Sequence, residues 1–344
     1  MTTEIVLNAT QIKAILDANM ETCRECEDAA QQGVVPKEKF VFFAAFDGTN
    51  NDMNDLKGDF QCTNVAQLWN QYKIGMDENI HGGYYPGLGT NGKPTKETWL
   101  PPAVTIGVIE TAKKAYIDFA REASAWLKDH PGEAVTVVLA SFSRGVASAA
   151  IFSQLLYKRG LVLPYPSGEV LIQPGEANIA AGVLFDPVAT GVEGNLAFPP
   201  NVRNVVAIKA LNEYRQLFKA VDYSKQKDVV TTMGMYGNHC DIGGGYDNGL
   251  AALSLEASTQ FLKKSGLTIS DVPTERKPVP NKIAVHSEEY DEHENKIWDV
   301  YHEDGFSFED LRLFDTNLLI SPASRATASG SRGFTQYDGA RITI

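Results

Sequence analysis

The sequence predicts an α/β protein with a mostly parallel central sheet, helices on both of its faces and long loop insertions above the carboxyl ends of the strands. Two observations carry that prediction. Short, continuously apolar runs of strand length alternate with segments of helical periodicity. That alternation suits parallel strands joined by crossover helices, which bury both faces of a sheet. Four of the apolar runs end directly in polar residues capable of chemistry, and open parallel sheets bind their ligands at those ends.

Taken in order, the chain opens with an amphipathic helix over 10–32, its apolar face marked by Ile12, Ile15, Leu16, Met20 and Cys23. Cys23 and Cys26 form a C-x-x-C pair, but no second ligand pair lies nearby, so packing rather than zinc or redox chemistry is expected. After the turn G-V-V-P, the run from Phe40 to Phe46 reads as a fully buried strand that stops abruptly at D-G-T-N-N-D. Residues 51–102, rich in Gly, Asn, Asp and Pro with short helical fragments, read as a long excursion above the sheet, a place where loops carry function. Helical periodicity returns from Val104 to His130. A P-G turn and a β-patterned stretch ending at Ala140 lead to Ser143, and a helix of small residues follows to about Lys158. Beyond a polar insertion come the strands N-I-A-A-G-V-L-F-D and R-N-V-V-A-I-K, then Val229 to Gly237, and after H-C-D-I-G-G-G-Y a helix through A-A-L-S-L-E-A-S-T-Q-F-L. From Gly266 the chain turns polar and irregular, and its acidic run E-E-Y-D-E-H-E-N reads as a solvated surface.

Composition narrows the function. The chain has 344 residues, 43% of them hydrophobic, enough for one large core and a single domain over 1–344. Asp and Glu number 43 against 31 Lys and Arg, a formal charge of −12, which argues against nucleic acid and against anionic membrane surfaces as partners. No run approaches the ~20 apolar residues of a transmembrane segment. The start M-T-T-E-I-V-L-N lacks a basic region followed by an apolar core, so synthesis in the cytoplasm without a signal peptide is expected, and any export needs a leaderless route.

The stretch V-V-L-A-S-F-S-R-G-V-A-S-A-A places Ser143 between an apolar strand and a helix, with Ser141 and Gly145 as small neighbours two residues either side. Such a turn holds a serine hydroxyl clear of the backbone, and the following helix directs its N-terminal amides at the same spot. The other strand ends supply partners: Asp47, Gly48 and Thr49 after Phe46, Asp186 after Phe185, and His239 with Asp241 after Tyr236. Ser143, Asp186 and His239 stand in the chain order in which an α/β hydrolase supplies nucleophile, acid and base. His239 would shuttle the serine proton and Asp186 would fix its tautomer, while the amide of Arg144 and that of Gly48 or Thr49 would hold the oxyanion.

Alternatives stay open at each position. Asp47 and Asp241 are rival acids, read here as site organisers that bond backbone amides. His286, in A-V-H-S-E, is the rival base, with a surface or supporting role the preferred reading. No cofactor is expected. The Asp-rich run Asn50–Asp55 is an alternative calcium site, but it lacks the Gly and Glu of an EF-hand loop. G-G-G-Y matches no phosphate-binding pattern, and tight packing beside the active site explains it better.

Six blocks then point to a family. F-D-G-T-x-N at Phe46 to Asn51, Y-x-G-x-G-T at Tyr85 to Thr90, F-S-R-G at Phe142 to Gly145, D-x-V at Asp186 to Val188, A-L-N-E-Y-R-Q-L-F at Ala210 to Phe218 and G-x-H-x-D-x-G-G-G-Y at Gly237 to Tyr246 occur in order. Together they resemble the α/β hydrolase domain of Tle-like type VI secretion lipase effectors and related bacterial and fungal hydrolases, over about residues 40–265. Ser141, Pro187 and Tyr214 depart from the family's usual Gly, Thr and Arg. The resemblance implies a Ser-Asp-His esterase acting on acyl esters, in several members phospholipids, with Ser143, Asp186 and His239 in the catalytic roles. It also implies an antibacterial effector with a cognate immunity protein and a secretion-apparatus component as partners. Lipid access would then rest on Leu68, Trp69, Tyr84, Tyr85, Leu88, Trp99 and Leu100, which form either an apolar lid or a roof over the core. A cytoplasmic esterase without lipase activity and a non-catalytic binding module on the same fold are the rival readings.

Overall fold

The computed structural model describes residues 3–5, 7–36, 39–56, 61–90, 101–163 and 167–288. A two-residue strand β1 (Thr3–Glu4) precedes helix α1 (Ala9–Asp28), which begins at a capping box in which Asn8 accepts from the Gln11 amide and the Gln11 side chain accepts from the Asn8 amide. The helix stops at Ala29, four residues before Gly33 rather than running on to 32. Then come β2 (Phe40–Phe46), α2 (Asn64–Met76), β3 (Gly82–Tyr85), α3 (Pro101–Asp129), β4 (Val135–Phe142) and α4 (Gly145–Arg159). A small antiparallel pair, β5 (Leu161–Val162) and β6 (Val170–Ile172), occupies the polar insertion. The chain continues through β7 (Asn178–Phe185), β8 (Val202–Ala210), β9 (Val230–Met235), the short α5 (His239–Gly243), α6 (Leu250–Lys264) and β10 (His286–Ser287), which pairs antiparallel with β1.

Six strands build the central sheet in the order β3-β2-β4-β7-β8-β9, all parallel to their neighbours. Side chains alternate between its faces as the pleat requires. Phe40, Phe42, Ala44 and Phe46 of β2 pack with α3 and α4 on one face, while Val41, Phe43 and Ala45 pack with α1, α2 and α6 on the other. The predicted α/β architecture, a mostly parallel central sheet with helices on both faces, is therefore the observed one. From β2 the chain first moves to one edge, making β3, and then crosses to the opposite side of β2, making β4. The order reverses between these two strands, so the crevice above the carboxyl ends of β2 and β4 is where a ligand is expected.

Residues 51–102 correct the sequence reading. They are not simply an excursion, because they contribute α2, capped by the Thr63 hydroxyl, and the edge strand β3. Gly82 and Gly83 look like loop residues, yet Gly82 sits at φ +131° with its Cα against β2, where a Cβ would come within 2.2 Å of the Phe43 carbonyl oxygen. The close approach demands glycine inside a strand. Five of the apolar residues of this region roof the core: Leu68 and Tyr85 are buried, Trp69 stacks on Phe43, Tyr85 stacks on Phe46, and Tyr84 and Leu88 pack against the two core clusters. Trp99 and Leu100 lie outside the described residues.

The segment after Gly266 is irregular as expected but well anchored, with Leu267, Ile269, Val272, Ile283 and Val285 buried. Of the acidic run, Glu288 alone falls within the described residues, and it is no solvated charge: it pairs with the buried Arg215 at 2.6 Å. The remainder of the expected extension, 289–344, lies outside them.

Candidate active site

Strand β4 delivers Ser143 through a turn that the packing enforces. Ser143 adopts φ +54°, a left-handed conformation unusual for a residue with a Cβ, and its amide donates to the Phe185 carbonyl of the neighbouring strand at 3.1 Å. Gly145 allows helix α4 to start there, since a Cβ would lie 2.4 Å from the Phe46 carbonyl oxygen. Gly48 gives clearance on the other side, where a Cβ would lie 3.0 Å from that of Ser143. The Ser141 hydroxyl is buried without a hydrogen-bond partner. That position therefore needs a small side chain rather than its polar atom.

Asp186 follows β7 directly, also at positive φ (+35°), with its Oδ1 accepting from the Ala210 amide at 2.9 Å. Its Oδ2 lies 2.6 Å from Nδ1 of His239, the first residue of α5. Asn238 and Asp241 cap that helix reciprocally, so the imidazole projects from a fixed helix start. Phe142 lies 4.5 Å and Phe218 4.9 Å from the imidazole, the latter edge-on. Ser143 and His239 border the same cavity, of about 250 Å³, together with Thr49, Arg144, Val188 and Phe218. Among the described residues no hydrogen bond joins the Ser143 hydroxyl to the His239 imidazole, whose Nδ1 is held by Asp186.

The loop after β2 is laced to the loop after β3. Asp47 and Asn50 donate their amides to Tyr85 and Leu88, and Gly87 donates to Asn51. Two of the six sequence blocks thus form one rigid unit. Asp47 is buried and accepts from the Gly48 amide, the Thr63 hydroxyl and the Tyr84 hydroxyl. Burial outweighs those donors and pushes its carboxyl up to about 6. Gly48 sits differently from expectation: its N–H is committed to Asp47 and it does not border the cavity, whereas Thr49 does. The Thr49 hydroxyl accepts from Arg144 Nε at 2.7 Å, and burial lowers the Arg144 guanidinium to about 10.

Asp241 is turned away from His239. It accepts from the amides of Asn238 and His286 and lies 2.5 Å from His286 Nδ1, so His286 is held by Asp241 and does not border the cavity. In G-G-G-Y, Gly243 lies so close to the Phe142 ring that a Cβ would meet it at 2.0 Å. No metal-binding cluster of His, Cys, Asp or Glu exists among the described residues.

The sequence reading missed a charged group beside His239. Glu213 and Arg215, both buried, form a two-pronged ion pair, and Glu213 Oε2 accepts the His239 amide at 3.2 Å. A signal for it exists: A-L-N-E-Y-R-Q-L-F begins at the carboxyl end of β8, a fifth strand end that the same rule flags.

No family model matches the chain, and no curated protein matches it significantly. Among solved structures, an uncharacterized protein from Pseudomonas aeruginosa is similar over 80% of this chain and 52% of its own, at 16% identity and a TM-score of 0.49. The Tle1 effector bound to the VgrG spike of a type 6 secretion system is similar over 61% and 52%, at 20% identity and a TM-score of 0.43. An acetyl xylan esterase is similar over 66% and 95%, at 10% identity and a TM-score of 0.27. The chain spans about half the length of the first two.

Proposed function

We propose that the chain is a serine hydrolase that cleaves carboxylic esters. The observation that supports it most is that Ser143, on a strained turn after β4, and His239 border one cavity, while Asp186 is buried behind the imidazole at 2.6 Å. In this reading the Ser143 hydroxyl attacks the acyl carbonyl while His239 Nε2 accepts its proton and then returns it to the leaving alcohol. Asp186 holds Nδ1–H and stabilises the imidazolium. The main-chain N–H groups of Arg144 and Thr49 donate to the oxyanion, each worth ~3 kcal/mol of transition-state stabilisation. Water then repeats the sequence on the acyl-enzyme and releases the acid.

The finer reading is a phospholipid acyl hydrolase that acts as a secreted antibacterial effector, with an immunity protein and a secretion-apparatus component as partners. Its support is the ordered set of sequence blocks and the exposed, apolar Leu217 at the cavity mouth. In the test, purified protein is incubated with short and long acyl esters and with mixed phospholipids. Ser143→Ala is expected to abolish turnover and fluorophosphonate labelling while the circular dichroism spectrum stays unchanged. Full turnover in that variant would overturn the mechanism. Release of fatty acid from phospholipids supports the lipase reading, turnover confined to short esters favours the simple esterase, and an unlabelled wild type favours a binding module.

A further inference from the structure

The stretch Ala210–Phe218 takes no direct part in the chemistry above, yet it holds the most heavily bonded charges near the cavity. Glu213 and Arg215 are 2% and 4% exposed. Arg215 Nε and Nη2 donate to Glu213 Oε1 and Oε2 at 2.9 and 2.7 Å, and the Arg215 amide donates to Oε1 at 2.9 Å. Burying a full ion pair is a poor way to stabilise a fold, because desolvation consumes most of the Coulomb gain and apolar residues of equal volume do as well. Its contacts show what it holds instead.

The pair touches His239 along two routes. Glu213 Oε2 accepts the His239 main-chain N–H, which pins the first residue of α5. Arg215 lies 3.6 Å from the centroid of the Phe218 ring, and Phe218 in turn meets the imidazole edge-on at 4.9 Å and 77°. Glu288, from the segment after β10, closes the far side of Arg215 at 2.6 Å. The bond to Asp186 alone leaves the imidazole a hinge about the Nδ1···Oδ2 direction. A ring packed against it restricts that swing.

We propose that Glu213 and Arg215 are positioning residues for His239, with Glu213 fixing its backbone and Arg215 holding Phe218 as a stop against its ring. This rests on His239 being the general base. The charged and titratable groups around that base are Asp186 from β7, Glu213 and Arg215 from the loop after β8, Glu288 from the segment after β10, Arg144 from the serine turn, and Cys240 and Asp241 from its own helix.

The test measures kcat, KM and the acid limb of the pH–rate profile on a soluble acyl ester for full-length wild type, Glu213→Gln, Arg215→Met, Arg215→Lys and Phe218→Leu, with thermal melts of each. The two charge changes should lower kcat about 10- to 100-fold with KM little altered and move the acid limb in opposite directions. Arg215→Met leaves two carboxylates uncompensated and raises the limb, whereas Glu213→Gln lowers it, each by roughly half a pH unit or more. Arg215→Lys keeps the charge without the planar fork, so kcat falls while the limb stays near its wild-type position. A purely structural pair would change melting temperature without opposed shifts, and that result overturns the proposal. Should the charge variants fail to fold, Phe218→Leu decides it: a kcat about 10-fold lower supports the stop, and an unchanged kcat overturns it. Absence of turnover and of serine labelling in the wild type would instead remove the functional reading itself.

Discussion

Two aspartate–histidine pairs share helix α5, and their surroundings differ more than their geometry. Asp186 and His239 are 2.6 Å apart, Asp241 and His286 2.5 Å. His239 borders a cavity with Ser143, whereas His286 packs on Tyr246 and faces Glu4 of β1. Asp241 also accepts two main-chain amides, which makes the second pair a clasp joining the segment after α6 to the start of α5. An Asp–His hydrogen bond by itself therefore carries no chemistry. A strained serine turn and an open space beside it distinguish one pair from the other.

The comparison breaks most readily at the histidines. His239→Ala is expected to lower kcat by about 10⁴-fold or more with the fold retained, while His286→Ala keeps kcat within a few-fold and lowers the melting temperature. Ester assays and thermal melts on both variants check this, and equal losses of activity would put both histidines in the reaction. The aspartates should divide in the same way. Asp186→Asn should cost about 10⁴ in kcat through the wrong imidazole tautomer. Asp241→Asn should instead cost about 2 to 4 kcal/mol of stability in urea unfolding, because it weakens three buried or part-buried hydrogen bonds, two of them to main-chain amides, and removes the charge that holds His286.

Titration separates the pairs by a smaller effect. Burial pulls the His286 imidazole down, but the hydrogen bond and charge of Asp241, with Glu4 and Asp247, outweigh it and leave its pKa raised. A raised histidine pKa means that the folded state binds the proton more tightly than the unfolded chain does. The clasp is thus at full strength below the ordinary histidine range and weakens as pH rises through the folded value. Urea midpoints measured between pH 5 and about 9 should fall more steeply for wild type than for His286→Gln. The smallest effect belongs to the serine turn. Ser141→Ala removes a buried hydroxyl that has no partner and should raise stability by about 1 kcal/mol without lowering ester turnover.

Much of this architecture is legible in the amino-acid sequence. Strands and helices show in the periodicity because the interior strands of the sheet are buried on both faces, and Ser143, Asp186 and His239 stand out because each closely follows a strand-like run. The features that escape sequence reasoning do so for physical causes. Gly82 and Gly83 hide β3, since their missing side chains signal a loop in sequence but permit close strand approach in space. The Glu213–Arg215 pair looks solvated in a loop-like stretch, and its partner Glu288 lies 73 residues further along the chain from Arg215. The aromatic residues of 51–102 are ambiguous between lid and roof because burial, not identity, decides between those roles, and the described ones are roof.

The φ of +54° at Ser143 has an evolutionary consequence. A left-handed backbone costs an L residue on the order of 1 kcal/mol that glycine does not incur. Under the proposed mechanism, selection for durability alone would replace Ser143 with glycine and leave a sturdier protein without its nucleophile. In that reading the strained serine trades some of the chain's persistence for reactivity.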